Sequence, residues 1–189
     1  MNKEIIRNII KQKKSELSQE YIENESNKIL EKLLAHPSYI HSKYIFTYVS
    51  FNQEVRTSGL IKRGFQDKKK IAVPKIINKR LEFIWIDNLS SYETSNIGIN
   101  EPIEENMVTK SQLKSLDNIL MIVPGLAFDK YKNRIGYGKG FYDNYFAENM
   151  SVPFKKIGIT YDFQIMEDIV PSDNDIKIDE IISQSYHIV

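Results

Sequence analysis

The sequence predicts an α/β fold in which a mostly parallel central sheet is covered by helices, with a helical arm at the N-terminus. Three observations carry that prediction. After residue 44, short β-branched and aromatic runs alternate with segments of helical period. The run "NILMIVP" (118–124) is continuously apolar, as in a strand covered on both faces. Between it and the helix-like "FYDNYFAEN" stands the glycine-rich stretch "RIGYGKGFYD" (134–143), so the order is strand, loop, helix.

The elements follow in chain order. Residues 3–17 place Ile5, Ile6, Ile9 and Ile10 on one side of a helix, and Lys3, Arg7, Lys11 and Lys14 in a stripe on the other. A second helix is predicted from about Gln19 to Leu34, with Ser18 as its N-cap and Pro37 just past its end. "YIFTYVS" (44–50) reads as a buried strand that gives way to the polar loop "FNQE". A helix over 58–67 precedes two strands, "KIAVPKI" and "RLEFIWI", joined by the turn "INK". In the second, Leu81, Phe83 and Trp85 alternate with Glu82 and Ile84, which predicts an edge hairpin, and Pro74 falls near the end of its run. Residues 87–117 are polar and give only a short helix near 111–116. "KKIGIT" and "DEIIS" are the last predicted strands. No repeat, low-complexity tract or linker divides the chain, so one cooperative domain is expected over residues 1–189. In such sheets ligands bind beyond the carboxyl ends of strands, here the loops after Ser50 and after Val123.

Composition narrows the function. Lys and Arg number 26 against 25 Asp and Glu, giving a net charge of +1, so no global excess draws the chain to nucleic acid or an anionic membrane. Any anion site must be local. The absence of cysteine removes disulfides, thiolate metal sites and cysteine nucleophiles. "MNKEIIRNIIKQKKSEL" mixes charge and isoleucine unlike a signal peptide, and no apolar stretch has transmembrane length, so a soluble, cytoplasmic protein is expected. His36, His41 and His187 show no metal-ligand spacing and are read as structural.

"RIGYGKGFYD" has the parts of an anion cradle. Glycine at 136, 138 and 140 lets backbone N–H groups approach a phosphate, a helix opening near Gly140 adds its positive end, and Arg134 and Lys139 bring full charges. It is not a Walker loop, because Asn133 and Gly140 stand where that pattern needs a glycine and a Ser or Thr. Nor is it an RNA-binding RNP1 stretch, since "KGF" continues as Tyr142 and Asp143. Three glycines alone fit a tight turn equally well. The neighbouring Arg, Lys and Asp favour the cradle.

The longer run "VPGLAFDKYKNRIGYGKGFYDNY" resembles the signature region of the 5-formyltetrahydrofolate cyclo-ligase family. "KEIIR", "YVSFNQEVRT", "GINEP" and "NDIKIDEIIS" resemble further family segments in the same order, with the weakest match between about 87 and 117. The resemblance implies a three-layer α/β/α sandwich. It also implies conversion of 5-formyltetrahydrofolate and ATP into 5,10-methenyltetrahydrofolate, ADP and phosphate, with Mg²⁺. The partners are then small molecules, with no nucleic acid or membrane, and the chain a monomer.

Residue by residue, the resemblance assigns Arg134, Gly136, Gly138, Lys139 and Gly140 to the triphosphate, with Tyr142 at the loop's end and Arg134 and Lys139 as catalytic groups. Lys3 and Arg7 match a pair that touches ATP, although charged stripes of this kind are usually solvated. Val49, Glu54, Tyr137 and Phe141 match folate contacts, and Asp143 and Asp175 match the Mg²⁺ carboxylates. Two other readings stay open: a sugar-phosphate isomerase or CoA transferase on a similar fold, and a non-catalytic folate- or nucleotide-binding regulator.

Overall fold

The computed structural model describes residues 2–87, 92–94, 100–103 and 106–189. The chain runs α1 (Lys3–Ser15), α2 (Gln19–Leu34), α3 (Pro37–Ile40), β1 (Tyr44–Phe46), α4 (Ser58–Gln66), β2 (Lys70–Ile77) and β3 (Arg80–Ile86). It continues with β4 (Tyr92–Thr94), β5 (Asn100–Pro102), α5 (Lys110–Ser115), β6 (Ile119–Val123), β7 (Ala127–Asp129), β8 (Arg134–Ile135) and α6 (Phe141–Glu148). Last come β9 (Phe154–Ile159), β10 (Ile165–Met166), β11 (Glu180–Ile182) and β12 (His187–Ile188).

A seven-stranded sheet in the order β12-β11-β9-β6-β1-β2-β3 forms the middle layer. Its interior pairings are parallel and only β3 and β12 join antiparallel at the edges. The period-two rule explains the layers. Along β6, Leu120 and Ile122 face Ile29, Leu33, Leu60 and Ile61 of α2 and α4. Ile119, Met121 and Val123 face Leu113, Tyr145 and Phe146 of α5 and α6. This is the α/β architecture with a mostly parallel sheet that the sequence predicts.

Details differ from the sequence reading, each for a local reason. The first strand ends at Phe46 rather than Ser50. Beyond it the chain turns on Thr57, whose hydroxyl donates to Tyr48 O at 2.7 Å and accepts from Ser50 N at 3.1 Å, replacing the ladder with a closed loop. Pro74 lies inside β2, opposite Phe83, not near its end. Lys70 N and Ala72 O bond toward β1, so the Pro74 nitrogen turns to the same side, where β1 has already ended. Ile84 is buried with its alternating neighbours, and its bridge to Met107 pairs the otherwise open edge of β3. Pro37 does not merely follow α2; it opens α3, capped by the His36 side chain. Ser18 caps α2 as expected, accepting from Tyr21 N at 3.1 Å.

The N-terminal arm is turned relative to the pattern in its sequence. Ile6 and Ile10 are buried against Leu126, Ala127, Ile135 and Ile169, while Ile5 stays 51% exposed and Ile9 37%. Residues 3, 7, 10 and 14 share one face of a helix at 100° per residue. That face meets a second, three-stranded sheet, β10-β7-β8, which the sequence did not announce. Of the segment over 87–117, α5 matches its expected position, β4 and β5 form an antiparallel pair, and much of "SSYETSNIGINEP" lies outside the described residues.

Candidate active site

β1 and β6 are neighbours near the centre of the sheet, and the chain leaves their carboxyl ends into two loops, 47–57 and 124–140. The loops converge where strand order changes direction, the position at which open α/β sheets hold ligands.

The second loop is built on Asp129. Its buried carboxylate accepts from Tyr131 N, Asn133 N, Asn133 Nδ2 and Ile169 N at 2.8–3.0 Å, which closes the β7–β8 hairpin and fixes where Arg134 begins. Arg134 and Ile135 therefore lie in a strand, not in the loop itself. The Arg134 side chain is 4% exposed; its Nη2 donates to Asp143 Oδ1 at 2.8 Å and its Nη1 to Pro124 O at 3.3 Å. The guanidinium lies over the Tyr142 ring. Arg134 Nε and the Tyr142 hydroxyl are both buried with no hydrogen-bond partner among the described residues. Burial pushes the Tyr142 hydroxyl well above the usual tyrosine range, so it remains a donor.

From Gly136 the chain becomes a cradle. Gly138 has φ +98° and Gly140 φ +68°, conformations other residues rarely adopt, and Gly140 is the N-cap of α6 with no side-chain cap. Asn144 N bonds back to Gly140 O, which leaves the preceding N–H groups of the first turn directed out of the helix. At Gly136 a Cβ would meet Arg134 Nη1 at 2.9 Å, so glycine there makes room for the guanidinium. Lys139 is exposed and has no ion-pair partner among the described residues. Its charge is available.

α1 supplies the other wall. Arg7 Nε donates to Gly136 O at 3.0 Å, and Lys3 pairs with Asp175 and donates to Ser172 Oγ at 2.7 Å. Both are half-buried against the glycine loop and the 170–176 segment rather than solvated. Asp175 also accepts from Ser172 N at 2.8 Å, and Asp143 Oδ1 from Ile176 N at 3.1 Å. Although Asp175 is partly desolvated, bonds from Lys3 and Ser172 and the nearby Arg134 charge hold its carboxyl below the usual range. Each of these two carboxylates keeps one oxygen without a protein donor among the described residues. Oxygen donors alone are what Mg²⁺ takes, so the residues present fit that ion.

The folate candidates gather beside this cradle. Tyr137 OH donates to Glu54 Oε1 at 2.8 Å, and Phe51 N donates to Glu54 Oε2 at 3.1 Å. Burial drives the Glu54 carboxyl up from its ordinary value, against the Lys14 charge, the Tyr137 hydroxyl and the Phe51 N–H. Val49 is half-buried on the core beneath it, and Phe141 is half-buried against the aromatic cluster of Phe83 and Tyr145. Three residues escaped the sequence reading: Lys14, Gln164 and Tyr48, which line a small cavity with Glu54. Lys14 was visible only as one member of a charged stripe. Its distance of seven from Arg7, two helical turns on the same face, was the available signal.

Away from the site, the fold brings together what sequence spacing separated. His36, Glu180 and His187 place their ligand atoms within 4.8 Å of one another. Ser38 N donates to His36 Nδ1 at 3.1 Å, so a neutral His36 carries its proton on Nε2, which donates to Glu180 at 2.9 Å. This cluster is a partly buried polar tie between the start of α3 and the β11–β12 edge.

A doubly faced α/β sheet, a glycine-capped helix end lined by cations and two carboxylates, and a carboxylate–tyrosine pair beside it define an α/β enzyme fold with an anion-binding helix end. The 5-formyltetrahydrofolate cyclo-ligase family model matches residues 1–184, and the chain belongs to that family. Among relatives, the mouse 5-formyltetrahydrofolate cyclo-ligase is 30% identical, with 92% of this chain and 89% of the mouse protein covered. A probable 5-formyltetrahydrofolate cyclo-ligase of Schizosaccharomyces pombe is 29% identical over 97% of this chain and 95% of its own. Among solved structures, the 5,10-methenyltetrahydrofolate synthetase of Aquifex aeolicus superposes with a TM-score of 0.82 at 27% identity, covering 99% of this chain and 92% of that one. The synthetase of Mycoplasma pneumoniae gives 0.76 at 26% identity, covering 97% and 99%.

Proposed function

We propose that the chain catalyses the ATP-dependent cyclisation of 5-formyltetrahydrofolate to 5,10-methenyltetrahydrofolate, releasing ADP and phosphate. The observation that carries this reading is the Tyr137–Glu54 hydrogen bond, which joins an organic-ligand carboxylate to the glycine cradle in a chain of this family.

A formamide resists attack at carbon because its nitrogen lone pair is delocalised and its oxygen is a poor leaving group. Transfer of the γ-phosphoryl group to the formyl oxygen answers both difficulties. The P–O bond to ADP breaks as the new P–O bond forms; N10 then attacks the activated carbon, loses its proton, and the C–O bond breaks to release phosphate. The protein's work is positioning and charge stabilisation. Glu54 accepts from pterin N–H groups, and Tyr137 and Phe141 offer ring faces to the flat pterin. The outward N–H groups at the start of α6, with Gly136, Gly138 and Gly140, receive phosphate oxygens. Lys139 and Arg134 offset the charge that develops on the transferring group, and Lys3 and Arg7 extend the cationic lining along α1. Tyr142 supports the Arg134 guanidinium from below and supplies its buried hydroxyl.

Asp143 and Asp175 would hold Mg²⁺, which when bound neutralises phosphate charge. In the free chain Arg134 and Lys3 each pair with one oxygen of those carboxylates, which stay partly open to solvent. Among the described residues, no helix is long and apolar enough to cross a membrane. The same proposal includes a cytoplasmic monomer, as the family resemblance implies.

The test is direct. The chain incubated with 5-formyltetrahydrofolate and Mg-ATP generates the methenyl chromophore; folate binding without it would replace the proposal with the regulator reading, and no folate binding with the isomerase or transferase reading.

A further inference from the structure

α1 delivers a third cation to the site, further in than Lys3 and Arg7. Lys14 is 6% exposed. Its side chain lines a cavity of about 10 Å³ together with Tyr48, Glu54, Val55, Pro124, Gly125, Ile159 and Gln164, room for about one water. Most polar groups of that cavity are committed elsewhere. Tyr48 OH donates to Val55 O at 3.0 Å, and Gln164 spends its amide on Gly125 O, Leu126 O and Tyr161 N. Lys14 Nζ has no hydrogen-bond partner among the described residues, and Glu54 is the one charge it faces across the cavity. A buried ammonium is tolerated only with a counter-charge nearby.

Glu54 meets other groups, of which the Arg56 charge also favours the ionised carboxylate, though less than Lys14 does. Arg56, in the same loop, is drawn outward to Asn52 O at 2.6 Å and Gln19 Oε1 at 3.3 Å. Tyr137, Tyr48, Tyr142 and Tyr161 face it as neutral hydroxyls, each pushed up by burial. We infer that Lys14 is a positioning residue of the folate site: its ammonium, lining the same cavity, keeps the Glu54 carboxylate ionised and ready to accept the N–H donors of the pterin. This rests on the assignment of Glu54 to the pterin. The requirement is chemical, because a protonated carboxyl presents a donor where the pterin edge also presents donors. Burial alone raises the Glu54 carboxyl and lowers the Lys14 ammonium, and each charge opposes the other's shift.

The experiment is a side-chain NMR titration of the full chain with ¹³C-labelled Glu carboxyls, in wild type, Lys14→Met and Lys14→Arg. Lys14→Met, similar in volume and free of charge, moves the Glu54 midpoint up by about one pH unit or more, and Lys14→Arg restores most of it. The acidic limb of kcat/KM for 5-formyltetrahydrofolate moves in the same direction, and Lys14→Arg moves it back. An unmoved Glu54 midpoint in folded Lys14→Met overturns the inference. If that variant does not fold, the reciprocal measurement decides: in Glu54→Gln the Lys14 ¹³Cε signal must titrate at lower pH than in wild type, and an unchanged titration overturns it equally. A shifted midpoint in a chain that neither binds nor converts folate would uphold the pair and sink the functional reading instead.

Discussion

Tyr137 and Glu54, 83 residues apart in sequence, share a 2.8 Å hydrogen bond that ties the loop after β1 to the glycine loop. The tyrosine is the donor, since burial first and the Glu54 charge second hold its hydroxyl protonated far above neutral pH. The bond thus fixes the carboxylate's direction as well as its partner. Tyr137→Phe is expected to raise the KM for 5-formyltetrahydrofolate about two- to tenfold, the worth of one hydrogen bond, with the KM for ATP unchanged. Steady-state kinetics with each substrate varied in turn measures this. Equal effects on both substrates would mean that the bond organises the cradle and not the folate side.

Lys139 is exposed and without an ion-pair partner among the described residues, so its removal has little to disturb in the fold. Lys139→Ala should leave stability within about 0.5 kcal/mol of wild type. ATP use, by contrast, falls about ten- to a hundredfold, as expected for a lost charge-assisted bond. Thermal unfolding and ATP-dependent kinetics on the same preparation separate the two effects, and near-normal ATP kinetics would remove Lys139 from the phosphate site.

The glycines of the cradle are predicted to fail for different reasons. Gly138 has φ +98° with nothing closer than Arg7 atoms at 3.7 Å, so Gly138→Ala is strained through its backbone, by about 1–2 kcal/mol. Gly136 has no such φ, but its added Cβ would press on Arg134 Nη1 at 2.9 Å. Gly136→Ala should therefore displace the guanidinium and lower kcat more than it lowers Tm, whereas Gly138→Ala lowers Tm at least as clearly. Paired melting and single-turnover measurements distinguish the two, and identical behaviour of both variants would contradict this division.

Local chemistry was legible wherever sequence neighbours act together. The apolar run of β6, the Ser18 cap and the glycine opening of α6 all report short-range physics, and all stand where the sequence puts them. Features made by distant partners were not. β1 stops at Phe46 because Thr57, eleven residues on, captures the backbone. The small sheet depends on Asp129 collecting donors from its own turn and from Ile169. α1 shows the limit most clearly: its charges read as a solvated stripe, yet Lys3, Arg7 and Lys14 turn inward, because their partners Asp175, Gly136 and Glu54 lie in segments 40 to 172 residues away. Periodicity finds an amphipathic face but not which face is covered.

The same logic yields a stability prediction at the opposite edge of the sheet. The Glu180 side chain is buried, and it accepts from His36 Nε2 at 2.9 Å and His187 Nε2 at 2.6 Å while pairing with Lys155. Burial alone would raise its carboxyl; the Lys155 and His187 bonds, with the neighbouring His36 and the Lys155 charge, outweigh that and hold it below the usual carboxylate value. A carboxyl lowered in the folded state adds stability above its unfolded pKa, about 4.3 for Glu, and that contribution is lost as pH falls through the lower folded value. Glu180→Gln should therefore cost about 1–3 kcal/mol at pH 7, loosening β12 from α3, and the difference from wild type should shrink on acidification below about pH 4. Because the tie lies away from the cradle, residual folded enzyme should keep its kcat. Denaturant unfolding of both proteins at pH 7 and in the acid range decides the matter: a gap that stays constant with pH would show that the glutamate contributes by packing and not by charge.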